Sequence, residues 1–293
     1  MSSNALHSPQ SYLFVPGKRP DRFQRALASG ADAVIVDLED AVEPAAKESA
    51  RAAVAAWLSP EHPVLIRINA YGTRWFDEDA KLAALAGVAG VVLPKAERAL
   101  DVVNVVSRAR RKVPVFPLIE TAAGLLSAME IAKAPCVKQL MFGTLDFIAE
   151  MGMQEDREAL NPYRAQLALI SRAVGLEQPI DGVTPDVNDV ERLAADALNG
   201  KRQGFGAKLC IHPKQIEAVH ACYRPGEQEL AWARRVIDAM AQSPAGVTTV
   251  DGKMVDRPVL LRAERLLALS RKNLSMASRT RLDTDSAART GRD

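Results

Sequence analysis

The feature that most constrains this chain is a rhythm. From Ser11 to Tyr223 a short apolar run is followed by a helical stretch, again and again. SYLFVP precedes DRFQRALASG, AVIVDLED precedes AAKESARAAVAAWL, and VLIRIN precedes FDEDAKLAALAG. VVLPK precedes ALDVVNVVSRARRK, VPVFPLIE precedes GLLSAMEIAK, and QLMFG precedes PYRAQLALISRAVG. PIDGVTP with DVNDVERLAADALNG and AKLCIHP with KQIEAVHACY make eight β/α units. Apolar runs of this length between turn residues read as strands buried on both faces, and their alternation with helices implies a parallel sheet. Eight units in this span predict an α/β fold, a closed (β/α)8 barrel over residues 11–225. A doubly wound open sheet is the structural alternative.

Beyond Arg224, Pro225 and Gly226 the rhythm stops. EQELAWARRVIDAMAQ predicts a helix, GVTTVDGKMVD a hairpin turning at Asp251 and Gly252, and RPVLLRAERLLALSRKN an amphipathic helix. This extension, residues 226–272, is too small for a core of its own and is expected to pack on the barrel or on a neighbouring subunit. Residues 1–10 read as a flexible start and residues 273–293 as a disordered polar tail.

Composition narrows the function. The 293 residues carry 38 Lys and Arg against 36 Asp and Glu, a net charge of +2, which argues against a dedicated nucleic-acid binder. The three cysteines, Cys136, Cys210 and Cys222, lack metal or CxxC spacing and suit a reducing, cytoplasmic compartment. No run is long enough to span a membrane, and MSSNALHSPQ has neither an apolar core nor an arginine, so no targeting peptide is expected.

In a (β/α)8 barrel, catalytic groups gather at the C-terminal ends of the strands. The polar residues there are Asp37, Glu39, Asp40, Arg67, Asn69, Lys95, Glu120, Asp146, Asp186 and His212. Glu120 and Asp146 close two neighbouring buried runs. Buried carboxylates must be paired, protonated or metal-bound. Two from adjacent strand ends suit Mg²⁺, which keeps positions open for substrate oxygens and water; a salt bridge to Arg67 or Lys95 is the alternative. Gly143 would allow close backbone approach nearby. Arg67 offers a planar fork to a substrate carboxylate, or an internal bridge to Asp37 or Glu39. Lys95 is either a Schiff-base lysine or the charge partner of Asp37, Glu39 and Asp40. In FVPGKRPDR, Gly17 makes a turn that brings Lys18, Arg19 and Arg22 to a helix start, a setting that attracts phosphate; surface basic residues are the plainer reading. His212 reads as a histidine satisfied by backbone.

SYLFVPGKRPDR, GADAVIVDLEDAV, LIRIN, VVLPKAE, PLIET, FGTLDF, GFGAKLCIHPKQI and GKMVD together resemble the citrate lyase β-subunit-like proteins, the acyl-CoA lyase branch of the HpcH/HpaI aldolase family. The resemblance spans nearly the whole barrel plus the hairpin. It implies a Mg²⁺-dependent carbon–carbon lyase that cleaves or forms a 3-hydroxyacyl-CoA such as malyl-, citramalyl- or citryl-CoA. It puts metal at Glu120 and Asp146, and substrate at Arg67 and Glu120. Phe14, Arg19 and Arg25 match positions that contact coenzyme A. Asp256 matches a catalytic aspartate inserted from a neighbouring subunit, which implies a homotrimer or homohexamer. Asp256, Arg67, Glu39, Asp40 and Lys95 make up the candidate catalytic set. Two other readings are a metal-dependent aldolase acting on free pyruvate-type substrates and a non-catalytic CoA-ester-binding protein.

Overall fold

The computed structural model describes residues 9–154, 157–243 and 246–269. Eight parallel strands close into a barrel in strict chain order: β1 (Ser11–Pro16), β2 (Ala33–Asp37), β3 (Val64–Arg67), β4 (Val88–Leu93), β5 (Val115–Ile119), β6 (Met141–Phe142), β7 (Ile180–Asp181) and β8 (Ala207–Cys210). β8 returns to β1 through the pairs Ser11 with Lys208 and Leu13 with Cys210, so the sheet has no edge. The open-sheet alternative is thereby excluded.

The two-residue alternation of a strand explains how the barrel fills itself. Tyr12, Ile35, Leu65, Val92, Phe116, Leu118, Met141, Ile180, Ala207 and Leu209 form one apolar cluster. Their sequence neighbours Leu13, Val34, Val36, Ile66, Val91, Leu93, Val115, Ile119 and Cys210 belong to a second, larger cluster that includes helix residues. The first set is the barrel interior and the second the layer beneath the helices. This parity places the next interior position at each C-terminal strand end, and those positions include Asp37, Arg67, Glu120 and Ile211.

The surrounding helices are α1 (Phe23–Leu27), α2 (Lys47–Trp57), α3 (Phe76–Lys81), α4 (Ala99–Ala109), α5 (Ala122–Leu126), α6 (Ala128–Ala132), α7 (Thr144–Met151), α8 (Asn161–Ala173), α9 (Val190–Arg202) and α10 (Ile216–Tyr223). Two features depart from the sequence expectation. The helix expected over GLLSAMEIAK is two short helices broken at Ser127. A helix the rhythm did not announce, α7, begins directly after β6. Asp146 is therefore in the first turn of a helix rather than at a strand end. An acidic side chain is favoured there by the helix dipole.

Two compact units divide at Tyr223 and Arg224, two residues before the expected boundary. In the second unit, α11 (Glu227–Ala241) is followed by the antiparallel strands β9 (Thr248–Val250) and β10 (Lys253–Val255) and a helical stretch over 257–269. Asp251 and Gly252 both take positive φ, 53° and 73°, as a type I′ turn requires. Ala233, Val236, Val250, Val255 and Ala263 form its small core. Gln10, expected in a flexible start, is buried, and its N–H donates to Asp32 Oδ2 at 2.9 Å. The expectations for residues 1–8 and 273–293 lie outside the described residues.

Candidate active site at the barrel mouth

Interior positions at the strand ends open onto a cavity of about 430 Å³. Its lining includes Phe14 from β1, Asp37 and Asp40 from the end of β2, and Arg67 from β3. Glu120 follows β5, Gly143 and Asp146 follow β6, and Ile211 follows β8. Two charged groups face this space.

The first is centred on Arg67. Its Nε and Nη2 donate to the two oxygens of Asp37 at 2.7 and 2.6 Å, a two-point contact. Its Nη1 lies 3.0 Å from Glu39 Oε2 and 3.4 Å from Asp40 Oδ2. The Glu39 contact is an ion pair without hydrogen-bond alignment, so Oε2 has no hydrogen-bond donor among the described residues. The guanidinium also stacks 4.8 Å above the Phe14 ring. Burial opposes the charge on Arg67, but Asp37, Glu39 and Asp40 outweigh it and raise its pKa. Arg67 is thus an internal bridge, with one edge of its cluster on the cavity.

The second group is Glu120 with Asp146. Glu120 is 2% exposed. Its Oε1 accepts the backbone N–H of Lys95 at 2.7 Å, a bond aimed by the left-handed conformation of Lys95, φ 48°. Oε2 has no protein donor among the described residues and lies against Gly143. A Cβ at that glycine would sit 2.4 Å from Oε2, so no other residue fits without moving the carboxylate. Burial first, then the negative charges of Glu39 and Asp146, push the Glu120 carboxyl up to about 8 despite Lys95 and Arg67. A carboxylate so crowded by like charge is one that a bound cation would relieve. Among the described residues no three His, Cys, Asp or Glu side chains are grouped to hold a metal. Two carboxylates facing open space match the donor set of Mg²⁺, which draws its remaining ligands from water and substrate.

Lys95 extends to Glu39, Nζ to Oε1 at 2.7 Å. Partial burial works against its charge, yet the bond to Glu39 prevails and raises its pKa. It is held as an ammonium ion, the form that cannot attack a carbonyl, which favours the charge-partner reading over the Schiff base. Glu39 is itself pushed up by burial, with Arg67 and Lys95 pulling the other way.

The remaining candidates fall elsewhere. Arg19 pairs with Asp21 at 2.7 Å, Lys18 pairs with Glu43, and Arg25 is exposed on α1. None of these basic residues lines the cavity. Asn69 is buried and bonded to Asp79 and to the Leu38 carbonyl. His212 Nδ1 accepts the Lys214 N–H at 3.2 Å, so this histidine is satisfied by backbone. Asp186 bonds the Asn188 N–H in an exposed turn. Asp256, in the second unit, accepts the Val259 N–H at 3.3 Å and caps the last helix. One supporting group escaped the sequence reading: Lys47 is buried and donates from Nζ to the carbonyls of Leu38 and Glu39 at 3.0 and 2.9 Å. It holds the loop that carries Glu39 and Asp40. A lysine in an exposed-looking helix start gave no hint of this.

Residues 10–213 match the family described as HpcH/HpaI aldolase/citrate lyase. A citrate lyase subunit beta-like protein of Mycobacterium tuberculosis is 42% identical over 266 residues, covering 87% of this chain and 93% of that protein. A (3S)-malyl-CoA thioesterase of Cereibacter sphaeroides is 34% identical over 275 residues, covering 91% and 96%. The crystal structure of protein CitE from Mycobacterium tuberculosis, in complex with magnesium, acetoacetate and coenzyme A, superposes with a TM-score of 0.80. It is 39% identical and covers 89% of this chain and 97% of that one. The closed barrel, the cavity at its mouth and this match over most of the length agree: the chain belongs to the HpcH/HpaI aldolase/citrate lyase family.

Proposed function

We propose that this protein is a Mg²⁺-dependent carbon–carbon lyase acting on a 3-hydroxyacyl-CoA that bears a free carboxylate. The observation that carries this reading is one cavity lined by Glu120, Asp146 and Arg67. Glu120 and Asp146 would hold the cation. Bound there, Mg²⁺ would supply Lewis-acid stabilisation of negative charge developing on substrate oxygen.

In the cleavage direction the substrate hydroxyl loses its proton and its carbon becomes a carbonyl. The bond to the thioester's α-carbon breaks, and the electron pair leaves with the thioester as an enolate. Protonation of that carbon gives the acyl-CoA, and the other product is a 2-oxo acid. Condensation runs the same steps backwards. Arg67, fixed by Asp37, orients the substrate carboxylate from the cavity edge. Glu39, Asp40 and Lys95 hold the charge balance around it. Phe14 flanks Arg67 on the cavity wall, and Arg19 and Arg25 would meet the phosphates of coenzyme A, Arg19 by exchanging its Asp21 partner. Asp256, acting from a second copy in a trimer or hexamer, would give or take the α-carbon proton.

Asp256→Asn tests this last role cleanly. Asn is as good a helix cap as Asp, so the fold is kept while the proton-transferring group is lost. Turnover should vanish with Mg²⁺ binding unchanged; retained turnover removes Asp256 from the mechanism. The activity itself is tested by incubating malyl-, citramalyl- and citryl-CoA with and without EDTA. Mg²⁺-dependent release of acyl-CoA and 2-oxo acid is expected.

The relative named a malyl-CoA thioesterase supports a second reading, hydrolysis of the same kind of thioester. Free coenzyme A with an intact hydroxy diacid, and no 2-oxo acid, would establish it in place of the first.

A further inference from the structure

The walls of the cavity differ around the barrel. The β2–β3 side carries Asp37, Asp40 and Arg67, and the β5–β6 side carries Glu120 and Asp146. Among the described residues, the lining from β7 through β8 to β1 is Val183, Leu209, Ile211, Phe14 and Pro16, all apolar, and the Arg67 guanidinium reaches it at the β1 end, 4.8 Å over the Phe14 ring. These last strands adjoin one another because the barrel is closed. Among the described residues four carboxylates and one guanidinium line the cavity, and that guanidinium, fixed by Asp37 and facing the first substrate carboxylate, leaves no cationic side chain for a second. Even with a divalent cation bound, the site keeps a net negative charge.

We propose that the Val183, Leu209, Ile211 and Phe14 wall receives the substituent on the carbon that bears the hydroxyl, and that the enzyme selects alkyl substituents there. Its 2-oxo acid partner would thus be a monocarboxylate with a methyl or ethyl group, and one carrying a second carboxylate is rejected. This deepens the lyase reading and rests on it. Against Val183, Leu209 and Ile211 a second carboxylate would be stripped of water, and the guanidinium over Phe14 is engaged by Asp37 and the first carboxylate. A methyl or ethyl group gains by leaving water at the same place. One methylene in such a pocket is worth roughly tenfold or more in kcat/KM. Desolvation of an unpaired charge is worth on the order of a hundredfold.

The test condenses acetyl-CoA with glyoxylate, pyruvate, 2-oxobutyrate and oxaloacetate in the presence of Mg²⁺, following the hydroxyacyl-CoA formed. Pyruvate or 2-oxobutyrate should exceed glyoxylate by roughly tenfold and oxaloacetate by roughly a hundredfold. Calorimetric titration of the Mg²⁺-loaded protein with the same acids, without thioester, should rank them alike. Ile211→Arg, at a side chain 41% exposed, places a cation on the wall without disturbing the core. It should favour oxaloacetate over pyruvate by about tenfold or more relative to the parent. Val183→Ala should shift the preference toward longer alkyl chains. Oxaloacetate preferred by the parent protein, or a ranking that neither variant changes, overturns the assignment. No condensation with any acid, together with an alkyl-selective binding order, overturns the lyase reading and leaves the wall assigned.

Discussion

Replacing Glu120 by Gln separates the charge of this residue from its shape. The glutamine oxygen can still accept the Lys95 N–H, so the hydrogen bond survives. What goes is a carboxyl buried to 2% exposure and pushed up to about 8 from an ordinary 4.5. In the folded chain this group holds its proton more tightly than in the unfolded chain. Raising the pH from about 4.5 to about 8 therefore deprotonates the unfolded state first and favours it. At about 1.4 kcal/mol for each pH unit, the loss accumulates to on the order of 5 kcal/mol and levels off above pH ~8. For a domain of this size that is on the order of 10 °C in Tm. The assay is thermal unfolding of parent and Glu120→Gln between pH 5 and 9 in EDTA, repeated in Mg²⁺. Groups distant from Glu120 cancel in the difference. Without metal, the variant should gain on the parent as pH rises. With saturating Mg²⁺ the parent should recover and the variant should not respond. A difference between the two proteins that stays constant across this range in EDTA would refute the reasoning.

Gly143→Ala should lower Mg²⁺ affinity at least about tenfold, because its Cβ would displace Glu120 Oε2 from 2.4 Å. Calorimetric titration with Mg²⁺ measures it, and circular dichroism checks that the fold is kept. Arg67→Met should cost about 3–5 kcal/mol in urea unfolding, since Asp37 is left buried without its cation while Glu39 keeps only Lys95. Asp37→Asn in the same background should recover part of that loss.

Much of this architecture could be read from the residues because a (β/α)8 barrel writes itself as a one-dimensional rhythm. Strand parity, seen in the structure, explains which of the strand-end residues line the mouth: Ile35 and Leu65 face inward, so Asp37 and Arg67 two residues on do too. The position of Asp146 on a helix was hidden because β6 is only two residues long and Gly143 separates it from α7. The choice between substrate and internal partner for Arg67 could not be read, since Asp37, Glu39 and Asp40 are all within reach and only three-dimensional geometry ranks them. The same holds for Lys95, whose Nζ bonds Glu39 rather than the nearby Asp37 or Asp40. Asp256 shows the opposite limit. Its capping bond to the Val259 N–H is local, although the sequence reading passed over it, while a role in a second copy depends on assembly.

The central claim is that Glu120 and Asp146 jointly hold one hard divalent cation at the barrel mouth. Anomalous diffraction from crystals soaked in Mn²⁺, a spectroscopically visible stand-in for Mg²⁺, tests it most directly. A single strong peak within bonding distance of both carboxylates is predicted. The two side chains turned apart, with the peak missing or placed on other residues, would contradict it.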